Sequence, residues 1–168
     1  MEQHSPHARR VGVTVMVLLI ALVAYLQFAR GRSHTDQALD FAFAQLAQAE
    51  LIGGSVRGEH IAAAHKSFAK AVAVVSLEPL ALIGVAVTEQ LAGKWGQGLA
   101  LPKELTQCTD DELGVHLRGL LERGNVRAAE GFLHHPFVIQ RQGGLRELVV
   151  FVQRWRSAQA VVARGGER

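Results

Sequence analysis

The sequence predicts an all-α protein with one N-terminal transmembrane helix and a compact helical domain behind it. Residues 11–29 carry no charge, and a helix of that length, rising about 1.5 Å per residue, matches the hydrocarbon core of a bilayer. The chain beyond them is rich in Ala and Leu, with apolar residues at three- and four-residue spacing and no alternating strand pattern. Glycines and prolines divide it into segments of helical length.

The N-terminal segment is predicted to be a membrane anchor behind a short basic tail, residues 1–10. Arg9 and Arg10 precede the apolar stretch, and Arg30 and Arg32 follow it. The count of positive charges is therefore equal on the two sides, and the positive-inside rule selects neither orientation. We expect the usual single-pass arrangement of a bacterial inner-membrane anchor, with the C-terminal domain outside the cytoplasm.

The anchor is expected to stay uncleaved. Its apolar stretch is longer than that of a secretory signal peptide. The best cleavage position follows Ala29, but Gln27 then stands where a small residue is required. The segment at 11–29 is therefore predicted to be a signal anchor.

The helical domain is predicted over residues 36–164, after a linker at 30–35 and before a flexible tail at 165–168. Thr35 is a suitable N-cap for the first helix, and Pro79 suits the first turn of the third. The predicted helices cover residues 36–52, 59–75, 79–92, 95–101, 110–123, 126–134 and 145–163. Short links between short helices favour antiparallel neighbours in one bundle.

A second membrane passage is the competing topology for residues 71–77 and 80–87, which are both apolar. Glu78 and Pro79 interrupt the pair, and each half is too short to span a bilayer. Two core helices joined by a tight turn are therefore predicted here.

Two glycine-containing turns share a spacing in which a small residue follows the glycine five positions later. The positions are Gly93 with Trp95 and Gly98, and Gly124 with Ala129 and Leu133. This pattern resembles the turn and second-helix packing of tetratricopeptide repeats over about residues 79–136, although the Leu-Gly pair and the closing Pro of that family are not in register. The resemblance implies stacked helix pairs with a concave face for a protein partner, and no catalysis. The domain is thus predicted to be a compact bundle or a short tetratricopeptide-like array, and an irregular bundle with two similar turns stays an alternative.

The charge distribution argues against a nucleic-acid partner. The sequence pI is about 9.5, but the excess of positive charge lies at the two ends of the apolar segment. Residues 33–168 contain 14 basic and 14 acidic side chains. A dense Lys/Arg stripe of the kind that neutralises phosphates is missing from this sequence.

Motifs for catalysis, cofactors or metals are weak, and we expect none of these functions. The glycine-rich residues 53–58 lack the Gly-Lys-Ser/Thr ending of a phosphate-binding loop. His60 and His65 are five residues apart and do not share a helix face. An enzyme that pairs Cys108 with His116 is the least favoured interpretation, because no motif surrounds the cysteine.

The candidate partner-binding residues are aromatic and basic. They are Trp95 at the first glycine turn, and Arg146, Arg154, Trp155 and Arg156 of the last helix. They favour a membrane-anchored, non-enzymatic adaptor, assembly factor or accessory subunit of a larger membrane complex. The alternative is a membrane-surface or lipid-binding module that lays the basic amphipathic last helix on the bilayer. A terminal helix that caps the bundle explains the same pattern structurally.

Overall fold

A computed structural model describes residues 6–52, 54–99 and 105–165. Within these ranges the chain forms α-helices and one 3₁₀ turn, and no β-strand. The elements are α1 Pro6–Leu51, α2 Ser55–Val74, α3 Pro79–Lys94, the 3₁₀ turn Leu105–Gln107, α4 Asp110–Leu121, α5 Val126–Leu133, α6 Pro136–Ile139 and α7 Arg146–Gly165. The predicted all-helical class is confirmed for the described part of the chain.

The first helix is longer than the sequence predicts. It runs for 46 residues from Pro6 to Leu51 without a break, about 70 Å at the usual rise per residue. The predicted linker at 30–35 is therefore wrong. Thr35 is not an N-cap, because its hydroxyl donates a hydrogen bond of 2.9 Å to the Gly31 carbonyl inside the helix, as threonines within helices commonly do.

The two predicted tails are shorter than expected. Residues 6–10 of the basic N-terminal tail belong to α1, and Gly165 is the last residue of α7. Residues 1–5 and 166–168, which complete these tails, lie outside the described ranges.

The two halves of α1 have opposite surroundings. From Met16 to Leu26 the large hydrophobic side chains are each at least half exposed, whereas Leu39 and Leu46 are buried in the domain. Among the described helices, α1 is the one that is long and apolar enough to cross a membrane. Its most apolar stretch of 18 residues has no buried residue. Signal sequences satisfy the same criteria of helix length and apolar composition.

An antiparallel hairpin of α1 and α2 begins the domain, and α3 follows after a turn at residues 75–78. Pro79 occupies the first turn of α3, as its missing N–H predicts. The prediction of two helices joined by a tight turn is confirmed.

An aromatic row forms the centre of the core. Ring centroids are 5.4 Å apart for Phe68 and Phe43, 5.0 Å for Phe43 and Phe151, and 6.1 Å for Phe151 and Trp155. Most neighbouring rings meet edge to face, the favoured geometry for aromatic pairs. The row joins α1, α2 and α7, so the last helix packs against the first.

The segment between α3 and α4 differs from the prediction. The expected helix at 95–101 is wrong for residues 95–99, since Trp95 and Gly96 form a turn and the next three residues are irregular; residues 100 and 101 lie outside the described ranges. Gly96 has a φ of 75°, a left-handed conformation that interrupts helices. The helix α4 then starts with a capping box between Thr109 and Glu112.

Candidate functional site

The glycine-turn residues fall into two groups. Gly124 has a φ of 69°, and a Cβ there would meet the Trp95 ring at 3.0 Å; Ala129 is fully buried. A Cβ at Gly93 or at Gly98 would meet nothing within 4 Å, so their predicted packing role is wrong. Gly93 also lies inside α3 rather than after its end.

The two turns contact each other directly. The Gly96 amide donates to the Arg123 carbonyl at 2.9 Å, and the Asn125 side-chain amide donates to the Gln97 carbonyl at 3.0 Å. The contact closes the loop after α3 onto the loop after α4.

Trp95 is half-buried in this contact. The guanidinium carbon of Arg57 lies 4.7 Å from the centre of its ring, within the range of a cation–π interaction. Arg57 also donates through Nε to the carbonyls of Ala49 and Ile52, at 3.0 and 3.1 Å. The position of Trp95 therefore ties the loop after α3 to the start of α2 and, through Arg57, to the end of α1.

Trp155 is fully buried, with no exposed surface. This burial corrects the prediction that Trp155 contacts a partner, because the apolar side of α7 packs onto the core. Arg146 is exposed at the start of α7. The structural alternative, a terminal helix packed against the rest of the domain, agrees with this burial.

The other two arginines of α7 pair with carboxylates of the domain. Arg156 donates through Nε to a carboxylate oxygen of Glu130 at 2.8 Å. The Nη1 atom of Arg154 lies 3.9 Å from a carboxylate oxygen of Asp40. Both side chains are only about one-third exposed, so they contribute less free positive charge than the sequence predicts.

A partly buried carboxylate, Glu50, lies near Arg156 of α7 and Arg127 of α5. Burial raises the pKa of Glu50, and the positive charges of Arg127 and Arg156 oppose that rise. One carboxylate oxygen of Glu50 and the side-chain nitrogen of Gln159 are buried without a hydrogen-bond partner in the structure. No sequence motif marks this cluster, because its members come from α1, α5 and α7.

A groove lies between the domain half of α1 and the C-terminal half of α7. It has a volume of about 310 Å³, and we call it the α1–α7 groove. Its lining residues are Asp40, Phe43, Ala44, Arg154, Ser157, Ala158, Val161 and Val162. Val161 is 70% exposed at its edge, and the Asp40–Arg154 pair adds a polar group.

A second apolar depression lies on α4. His116 lines it and is only 8% exposed. Burial, and then the positive charge of Arg123, lower the pKa of its imidazole. Its ring packs 4.9 Å from that of Phe132. The neutral imidazole therefore acts as a core side chain.

A third depression lies where the exposed half of α1 meets the domain. It has a volume of about 430 Å³, and Gln27, Gly31 and Thr35 of α1 face Val74 and Val75 across it. This contact puts the α2–α3 turn, residues 75–78, beside the end of the apolar segment. No pattern in the sequence pairs these distant residues.

Comparison with known proteins identifies no relative. No protein-family model matches the chain, and neither the curated proteins nor the solved structures contain a match. Among the described residues, no three His, Cys, Asp or Glu side chains are grouped so as to hold a metal ion.

Proposed function

We propose that this protein is a single-pass membrane protein whose helical domain is a non-enzymatic adaptor, assembly factor or accessory subunit of a larger membrane complex. The observation that carries the proposal is the division of α1 into an exposed apolar half and a buried half within one helix. Such a helix favours a bilayer for its first half and fixes the domain close to the membrane surface. We place the domain outside the cytoplasm of a bacterial inner membrane, in the usual arrangement for an anchor with a short N-terminal tail.

The α1–α7 groove is the surface that we assign to the protein partner. An amphipathic helix commonly binds by laying apolar side chains into such a groove. Ala44, Ala158 and Val161 supply the apolar contact, and the Asp40–Arg154 pair offers polar groups at the edge. The anchor raises the local concentration of the domain near other membrane proteins, so a modest interface is enough.

Photocrosslinking at single sites tests this assignment. We would place a photoreactive residue at Val161 in the groove, and at Val115 on α4 as the matched control. The two valines are 70% and 72% exposed. We expect one defined crosslinked partner in native membranes from position 161 and none from position 115.

A charge substitution completes the test. Val161→Glu should reduce recovery of the same partner, while Val115→Glu should leave it unchanged, and both variants should keep the unfolding temperature of the parent chain. Equal crosslinking from the two positions, or full recovery with Val161→Glu, would contradict the role of the groove.

A further inference from the structure

The α2–α3 turn lies on the membrane side of the domain. Helix α2 runs antiparallel to α1 and returns along it, so its last turn reaches the level of Gly31. A Cβ built on Gly31 lies 3.7 Å from a methyl carbon of Val74. Gly31 is two residues beyond Ala29, the end of the apolar segment, which is about 3 Å along the helix axis.

The turn exposes apolar side chains at this level. Leu77 is 81% exposed, more than any other large hydrophobic side chain in the described part of the chain. Val74, at the end of α2, is 45% exposed. An isolated exposed leucine is ordinary on a protein surface, but Leu77 and Val74 lie next to the end of the apolar segment, and we call these two residues the patch.

Three exposed basic side chains lie near the end of the apolar segment and the turn. They are Arg30 and Arg32 of α1, and Lys70, one helical turn before Val74. Two carboxylates, the exposed Asp36 and the half-buried Glu78, line the depression beside the turn together with Arg32. Basic side chains next to exposed apolar ones are typical of segments that lie in the headgroup region of an anionic bilayer.

We propose that the α2–α3 turn inserts Leu77 into the interface of the same bilayer that α1 spans, as a second membrane contact of the domain. This inference rests on the proposed membrane anchorage. It differs from a membrane contact through α7, whose apolar side is buried in the core. With two contacts, the domain is held against the bilayer and cannot tilt freely about the end of the anchor.

Depth-dependent quenching of a fluorescent label tests the proposal. The full-length variants Leu77→Cys and Leu51→Cys would be labelled and reconstituted into vesicles of phosphatidylcholine and phosphatidylglycerol that contain spin-labelled lipids. Leu51 is the matched control, because it is a leucine that is 60% exposed and stands about 30 Å further along α1 than Gly31. The parent chain, labelled in parallel, gives the contribution of Cys108.

The label at position 77 is expected about 5–10 Å inside the headgroup boundary, with strong quenching, and the label at position 51 is expected to show none. A label at Ser76→Cys should also be quenched. Equal quenching at positions 77 and 51, in vesicles from which alkaline carbonate does not extract the protein, would overturn the second contact and leave the anchor intact. Extraction by carbonate would overturn the anchor and the second contact together.

Discussion

Replacing Gly84 with alanine should destabilise the domain, because α2 and α3 approach closely at this residue. A Cβ at Gly84 would lie 2.4 Å from two ring atoms of Phe68 and 2.6 Å from a third. Carbon atoms normally pack at about 3.5–4.0 Å, so the ring or the helix must move by about 1 Å. Phe68 is fully buried, with Phe43 and Phe151 next to its ring, and these neighbours oppose its displacement.

The size of the effect follows from two opposing terms. Overpacking a tight core costs about 1–3 kcal/mol, and the enclosed position of Phe68 favours the upper end. Alanine improves helix propensity over glycine by about 1 kcal/mol. We therefore expect Gly84→Ala to lower the free energy of unfolding by about 2 kcal/mol, and the unfolding temperature by roughly 5–10 °C.

Thermal unfolding of the full-length protein in detergent, followed by far-ultraviolet circular dichroism, measures this change. Gly93→Ala is the control, because Gly93 lies in the same helix and its added Cβ meets nothing within 4 Å. That variant should be as stable as the parent chain or more stable, by up to about 1 kcal/mol. In a Phe68→Leu background, Gly84→Ala should cost less. An unfolding temperature for Gly84→Ala at or above that of the parent chain would refute the close approach.

Three further predictions follow from burial and capping. Below about pH 6.5, His116 is protonated in the unfolded chain, whereas the lowered pKa of its imidazole opposes protonation in the folded chain. The unfolding temperature should therefore fall as the pH is lowered. This fall should be smaller in the variant His116→Leu. Trp155→Ala should lower the free energy of unfolding by about 3–5 kcal/mol, because the indole is fully buried. Trp95→Ala should lower it less. Equal decreases for the two variants would contradict the core role of Trp155. Thr109→Ala should lower the free energy of unfolding by about 1 kcal/mol, because the Thr109 hydroxyl accepts a hydrogen bond of 3.3 Å from the Glu112 amide. Thr109→Ser should retain most of that stability in the same assay.

Local signals in the sequence predicted most helix boundaries. Pro79 at the start of α3 and Gly124 after α4 act through their own backbone geometry, which no distant contact has to supply. Thr35 failed as a boundary signal. Its hydroxyl can cap a helix or bond back within one, and only the packing of α2 against this part of α1 selects the second state.

The candidate surfaces were less predictable than the helices. Trp155 and its flanking arginines make an amphipathic pattern that suits a membrane, a partner or the domain's own core, and the pattern does not distinguish them. The core position of the indole depends on Phe151 and on Phe43 from α1. In the same way, the contact of Gly31 with Val74 joins residues far apart in the chain, and a single sequence carries no sign of it.

The unbroken α1 gives the anchor and the domain a common helical phase. One residue inserted between Ala29 and Thr35 would rotate the domain by about 100° around the axis of α1 and raise it by about 1.5 Å. Seven inserted residues would restore the original direction to within about 20° but leave the domain about 10 Å higher. In the proposed membrane arrangement, the length of this segment therefore sets the height of the α1–α7 groove above the bilayer, and its helical phase sets the direction in which the groove faces.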